Sequence, residues 1–276
     1  MESSALLGRV DELPRLPKAV SELLDAVNDE STSIKAISQK VSLDPLISAR
    51  VLRLANSAHF GRSREVGSIE EAVVRLGMQT LRTLVVASAV VGAIPNVQGV
   101  DLAKFWGETF EISLYAQEMA KRADVAPDEV FTCGILHRIG DLLIATVEPA
   151  INSQIVAAVE AGGNKQELEM ALLGFDSPAV GALLAESWKF THALVAGIKY
   201  QLEPMKAQGE SKIASMIFLA HQVYSFWDDN RGEDSFTCWL STQADKVGII
   251  KMDMDGITDK LIEIRGKGLE IGKQLA

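Results

Sequence analysis

The 276-residue chain carries 27 Lys and Arg against 37 Asp and Glu, a formal net charge of −10, and is 47% apolar. That charge opposes non-specific attraction to nucleic acid or anionic lipid, since those polyanions reward a basic face. Its two cysteines, Cys133 and Cys238, form no Cys-x-x-Cys pair and have no histidines at zinc spacing, which excludes a disulfide framework or a zinc ribbon and reads as reduced thiols.

Helical periodicity recurs from end to end without a convincing period-2 strand, so the fold is expected to be all-α. Met1 to Arg9 has neither a basic n-region nor a continuous apolar run, so no secretory signal is expected and the cytoplasm is the expected location. Val20, Leu23, Leu24 and Val27 follow Pro17 at i, i+3, i+4 and i+7, and Ile34, Ile37 and Val41 follow a Thr32/Ser33 cap. Asp44-Pro45 reads as an N-cap with proline at the first helical position, ahead of an Ile47, Val51 and Leu54 stripe. Ser68 and Glu71 form a capping box whose helix stops at Gly77. The apolar run Leu84 to Ile94 is far short of the roughly 20 residues that span a bilayer.

Pro95 to Gly99 holds turn residues and is the best candidate boundary between lobes. Charge supports a division: residues 13–95 hold ten Lys/Arg and eight Asp/Glu, a net of +2, which leaves −12 for the rest. A long helix begins at Asp101 with the stripe Leu102, Phe105, Thr109, Ile112, Ala116 and Met119 and ends near Ala123. Pro127 then opens an apolar helix containing His137 and Arg138. Gly162-Gly163, Gly174, Ser177-Pro178 and Thr191 punctuate further helices to Tyr200, and a charged turn from Asp228 to Asp234 precedes helices running to Gln274. No Walker, G-x-G-x-x-G, G-x-S-x-G or H-E-x-x-H motif occurs.

Two blocks carry a resemblance. Leu16-Pro17, the run Val41 to Gly61 containing Asp44-Pro45, Arg50, Arg53 and Asn56-Ser57-Ala-His59-Phe60-Gly61, and Ser68 to Gly77 resemble the N-terminal half of the HDOD family. Phe105-Trp106, Cys133-Gly-Ile-Leu-His137-Arg138-Ile-Gly140, and Leu173-Gly-Phe-Asp176-Ser177-Pro178 through Trp188 are similar to that family's half related to the HD phosphohydrolases. The resemblance implies a bacterial, all-helical, cytoplasmic signalling module with an N-terminal helical lobe and a C-terminal HD-like lobe. The expected organisation is an extension over 1–12, an HDOD domain over 13–220 with lobes near 13–95 and 100–220, and helices over 221–276 packed on the second lobe.

The resemblance also implies a metal site, and this chain departs from it at many positions. Glu108 stands where HD enzymes often have a first histidine, and Arg138 follows His137 where they have aspartate. Ser177, the Gln201-Leu202 pair and His221 replace further ligand residues, while Asp141 lies one turn beyond His137, and Glu108, His137, Asp141 and His221 are the residues that could converge on a different ion. A unit positive charge about 4 Å from a divalent ion is repelled by about 8 kcal/mol at an effective dielectric near 20. Arg138 is therefore expected to take the metal's place with Glu108 or another carboxylate as counter-charge. His137 is expected to be a buried or half-buried imidazole donating to Asp141, with a ligand or acid–base role as the competing reading. His221, among Phe218, Leu219 and Tyr224, is expected in the core.

Arg50, Arg53, Asn56, His59, Phe60, Arg62 and Arg64 form a basic and aromatic neighbourhood. It is suited either to an acidic partner surface or a small anionic ligand, or to solvation and internal ion pairs. The expected function is a non-catalytic HDOD regulatory module that binds a protein partner without cofactor, membrane or nucleic acid. The alternative is a divergent phosphohydrolase using a divalent metal.

Overall fold

The computed structural model describes residues 22, 23, 25, 26, 29, 32–57, 60, 66–93, 96–207, 212–228 and 235–275, and no strand occurs among them. The extension over 1–12, the expected helix residues Val20, Leu24 and Val27, and most of the charged turn before Ser235 lie outside the described residues. Leu23 and Ala26 are helical and buried.

Local chemistry starts each helix. In α1 (Ile34–Ser42) the Ser33 hydroxyl accepts from Ala36 N at 3.3 Å, and in α2 (Pro45–Ala55) Asp44 accepts from Leu46 N and Ile47 N at 2.9 and 3.0 Å. In α3 (Ile69–Leu76) Ser68 accepts from Glu71 N at 3.1 Å, and the Glu71 carboxylate reaches Gly67 N at 3.0 Å, one residue further out than a standard capping box. Gly77, at φ 83, ends that helix and admits α4 (Met78–Ala93).

α5 (Leu102–Arg122), capped by Asp101, is the organising helix. Instead of the single expected stripe it is buried on nearly every side, with Trp106, Phe110 and Tyr115 adding to Phe105, Thr109, Ile112, Ala116 and Met119. The cause is the C-terminal helix α15 (Lys267–Leu275), which covers the face opposite α6 (Pro127–Leu136). Small residues let the two backbones touch: a methyl built on Gly268 would come within 2.6 Å of Glu111 Cβ, and one on Gly272 within 2.5 Å of Gly107 N. Glu111, buried in α5, accepts from Gly266 N at 2.9 Å at the start of α15 and from the Tyr115 hydroxyl at 3.0 Å. Burial raises its pKa, opposed by those two hydrogen bonds.

The remaining helices are α7 (Ile139–Val147), α8 (Pro149–Glu160), α9 (Lys165–Leu173), α10 (Ser177–Ser187), α11 (His192–Lys199), α12 (Lys212–Asp228), α13 (Phe236–Lys246) and α14 (Ile257–Ile264), with a 3-10 turn at Pro204–Ala207. α4 packs on both α2 and α6, and one apolar core runs from Leu23 to Ile271 across the turn at 96–99, where Val97 is buried. The stretch Pro127–Val147 has the length and hydropathy to cross a bilayer, but its ladder breaks between α6 and α7 and 72% of its most apolar window is buried inside the protein. Cys133 is buried and Cys238 exposed, both as free thiols.

Candidate functional site

The junction of α6 and α7 builds the site. His137 closes α6, and Arg138, at φ −104 and ψ 9, stands outside the ladder before α7 restarts. This break corrects the expectation that Asp141 accepts from His137, because the two are not one turn apart on a continuous helix. The His137 ring turns inward, 2% exposed, with Nδ1 against Gly134 O. A carbonyl only accepts, so Nδ1 carries the proton and Nε2 presents its lone pair. The His137 carbonyl, freed by the break, accepts from Gln201 Nε2 at 2.7 Å, and the same nitrogen reaches Ile198 O at 2.9 Å.

His221, on α12, sets its ring edge-on to His137 at 4.8 Å between centroids. The Nε2 atoms of both are buried without a hydrogen-bond partner among the described residues. Burial pushes the His137 pKa well below its ordinary range, with His221 adding to the shift. His221 is pushed down to about 4, by burial and then by the Arg138 charge. Both imidazoles are neutral near pH 7.

Arg138 Nη1 donates to Glu108 Oε2 at 2.9 Å and Nε to Asp141 Oδ2 at 3.3 Å, with the guanidinium 4.4 Å from the Phe105 ring centroid. Lys165, at the start of α9, donates to the other Asp141 oxygen at 2.6 Å and lies 3.6 Å from Glu169 Oε1. Glu169 Oε2 in turn accepts from Ser177 N at 2.8 Å. Burial alone would raise the Asp141 pKa, but Lys165 and Arg138 hold it well below the usual carboxylate range. Glu169 is raised by burial, with Lys165 opposing.

Gly140 makes this convergence possible. It lies against Ser177 O, and a methyl built on it would also come within 2.9 Å of Gly181 N, so α7 and α10 meet backbone to backbone. The result is a cavity of about 540 Å³. Glu108, His137, Arg138, Asp141, Ser177, Gln201, Leu202 and His221, each singled out from the sequence, all line it. Lys165 and Glu169 are the charged members that sequence reasoning missed, flanked by Asn164 and Gln166. Their signal is an Asn164 cap followed by an i, i+4 Lys–Glu pair, which says nothing about the surface that turn faces.

The donor set does not fit a divalent ion. Glu108 and Asp141 are engaged by cations, Glu169 by Lys165 and a backbone N–H, and Ser177, Gln201 and Leu202 add no carboxylate or imidazole. Among the described residues, no group of three or more His, Cys, Asp or Glu is placed to hold a metal.

The basic neighbourhood is elsewhere. Asn56 exchanges two hydrogen bonds with the Val66 backbone, at 3.0 and 2.7 Å, and Phe60 packs edge-on against Phe131 at 5.9 Å. Arg50 lies over Gly92 and its pKa is lowered by burial and by Arg53. Arg53 is exposed, while His59, Arg62 and Arg64 lie outside the described residues.

The HDOD domain family model matches residues 13–204. A crystal structure from Shewanella amazonensis SB2B, provisionally named a phosphohydrolase, is 55% identical with a TM-score of 0.91, covering 100% of this chain and 99% of its own. An HDOD domain protein of unknown function from Geobacter sulfurreducens is 23% identical with a TM-score of 0.79, covering 99% and 95% respectively, a likeness of fold. A protein of Treponema pallidum (strain Nichols) is 25% identical over 235 residues, which span 82% of this chain and 45% of that relative's length. The matched residues run through α1 to α11 and take in the α6–α7 break, Gly140 and all of the cavity-lining positions except those on α12; the chain belongs to the HDOD family.

Proposed function

We propose that the chain is a non-catalytic regulatory module of bacterial signalling that works in the cytoplasm through a protein partner. The observation that carries this reading is the bridge from Arg138 to Glu108 and Asp141, continued by Lys165. A cation with fixed charge stands at the ligand pair and uses the carboxylates that a metal would need. The Arg50 to Phe60 region is the candidate partner surface, with Arg50 and Arg53 able to meet carboxylates or a small anion.

A second reading, a divergent metal-dependent phosphohydrolase, is favoured by the name given to the 55% identical Shewanella protein. In that reading Glu108, His137 and Asp141 would hold the ion, although the present cationic partners of Glu108 and Asp141 do not suit it.

One experiment separates the two. Protein purified without added metal or chelator is analysed for Mn, Fe, Ni and Zn, then assayed against phosphodiesters and nucleotides with and without added Mn²⁺. The module reading expects far less than one metal per chain and no turnover. Stoichiometric metal with hydrolysis that Arg138→Ala does not raise would overturn it.

A further inference from the structure

We propose that the hairpin of α8 and α9 is a hinged lid over the cavity, latched shut by the ion pair from Lys165 to Asp141. Asn164, Lys165, Gln166 and Glu169, from the cap and first turns of α9, form one wall of the cavity. Behind that wall the hairpin keeps a small core of its own, in which Ile155 and Leu173 meet Ile144 of α7, with Ile151, Leu168 and Phe175 around them. On the cavity side it is held by polar contacts instead. Lys165 Nζ donates to Asp141 at 2.6 Å, Ser177 N to Glu169 at 2.8 Å and Gln166 Nε2 to Asp176 at 2.8 Å. The last two lie beside the junction of α9 with α10. Lys165 follows the Gly162-Gly163 turn at the hairpin tip and reaches the start of α7.

Both roots of the hairpin suit a pivot, and the latch is at the opposite end. Glu148, at φ −126 and ψ 60, ends α7 and starts α8 with no turn between them. Gly174, at φ 83, ends α9 where the chain turns by 73° into α10. Local chemistry places Lys165 for Asp141 rather than for its own helix. A cation in the first turn opposes the helix dipole, and lysine ahead of Glu169 is the weaker order of an i, i+4 pair. The contact with Asp141 on another helix offsets both. The Lys165 side chain is 45% exposed, so salt reaches the latch while the main core is untouched.

The test is amide hydrogen exchange of the full-length protein and its Lys165→Met variant, read by mass spectrometry at constant pH. Lys165→Met also removes the charge that opposes the α9 dipole, so an effect on helix propensity alone would slow exchange in α9. A latch predicts the reverse: exchange about tenfold faster across residues 149–173, with α5 and α6 unchanged. Raising NaCl from about 0.05 M to about 0.5 M is expected to speed the same segment in wild type and to leave the variant almost unchanged. Opening of the cavity is read separately through Ser177→Cys in a Cys238→Ser background, since Ser177 lines the cavity at 6% exposed and Cys133 is buried. Labelling by a small thiol reagent is expected to rise about tenfold when Lys165→Met is added. Unchanged exchange in the hairpin, a rise shared equally by α5 and α6, a wild type indifferent to salt, or thiol labelling that Lys165→Met leaves unchanged would each overturn the proposal.

Discussion

Replacing Arg138 by methionine keeps an apolar stem over Phe105 and removes the charge, so it isolates what the guanidinium does. Two charge-assisted hydrogen bonds are lost, at 2.9 Å to Glu108 and 3.3 Å to Asp141. Each would be worth roughly 1.5–3 kcal/mol in a well-buried place, and exposed pairs only about 0–1. The three side chains are 24%, 22% and 18% exposed, between those limits. Lys104, 3.9 Å from Glu108, and Lys165, 2.6 Å from Asp141, remain as counter-charges. The expected net loss is about 2 kcal/mol at pH 7, a fall in Tm of about 4–8 °C for a chain this long. The pH dependence has a definite sign. The depressed Asp141 pKa contributes stability that is present above its unfolded value near 3.9 and lost on acidification. The variant has less depression to lose. Arg138 also helps to push His221 down, so its removal makes that ring easier to protonate as pH falls below roughly 6.5. Both effects narrow the gap between wild type and variant as pH falls. Urea unfolding from pH 7 to the lowest pH at which both proteins fold measures that gap. A variant as stable as wild type at pH 7, or a gap that widens in acid, would refute the account.

Gly140→Ala is expected to destabilise by about 3 kcal/mol, outweighing the roughly 1 kcal/mol that alanine gains in a helix, because the Ser177 and Gly181 backbone of α10 lies directly against it; urea titration measures it. Gly272→Ala is expected to lift α15 from α5, seen as faster amide hydrogen exchange in both helices, and unchanged exchange would contradict the close approach at Gly107. Burial pushes the Cys133 thiol up, while Cys238 is exposed. A thiol reagent is therefore expected to modify one cysteine per native chain and two after unfolding, and rapid labelling of Cys133 in the native protein would contradict its placement.

Helix starts and stops were legible because capping is local. Ser33, Asp44, Ser68, Asp101 and Thr191 each accept the backbone hydrogen bond that their position suggests. The membership of the cavity was legible through family resemblance, which supplied Glu108, Ser177, Gln201 and His221 from distant parts of the chain. The contacts inside it were not. Apolar periodicity runs smoothly through Leu136 to Leu142, so nothing local signals that the ladder breaks at Arg138 and parts His137 from Asp141. Lys165 reads as a solvated residue until the α8–α9 turn is folded against α7. The all-round burial of α5 depends on Gly107, Gly268 and Gly272, whose role is steric and appears only when both helices are in place.

The ionic chain also sets what one substitution can do. Asp141 has both oxygens engaged, one by Arg138 and one by Lys165. Arg138→Asp creates the residue pair of an HD enzyme, yet it leaves Lys165 at 2.6 Å from Asp141, and Ser177, Gln201 and Leu202 still supply no charged or imidazole donor. Lys165→Ala alone leaves the guanidinium between Glu108 and Asp141. If cation exclusion depends on both side chains, Mn²⁺ titration calorimetry is expected to find no binding by wild type or either single variant. Only the Arg138→Asp, Lys165→Ala double variant would then show measurable affinity, so the two substitutions are strongly non-additive. Tight Mn²⁺ binding by Arg138→Asp alone would place the whole exclusion on one guanidinium and remove Lys165 from the account.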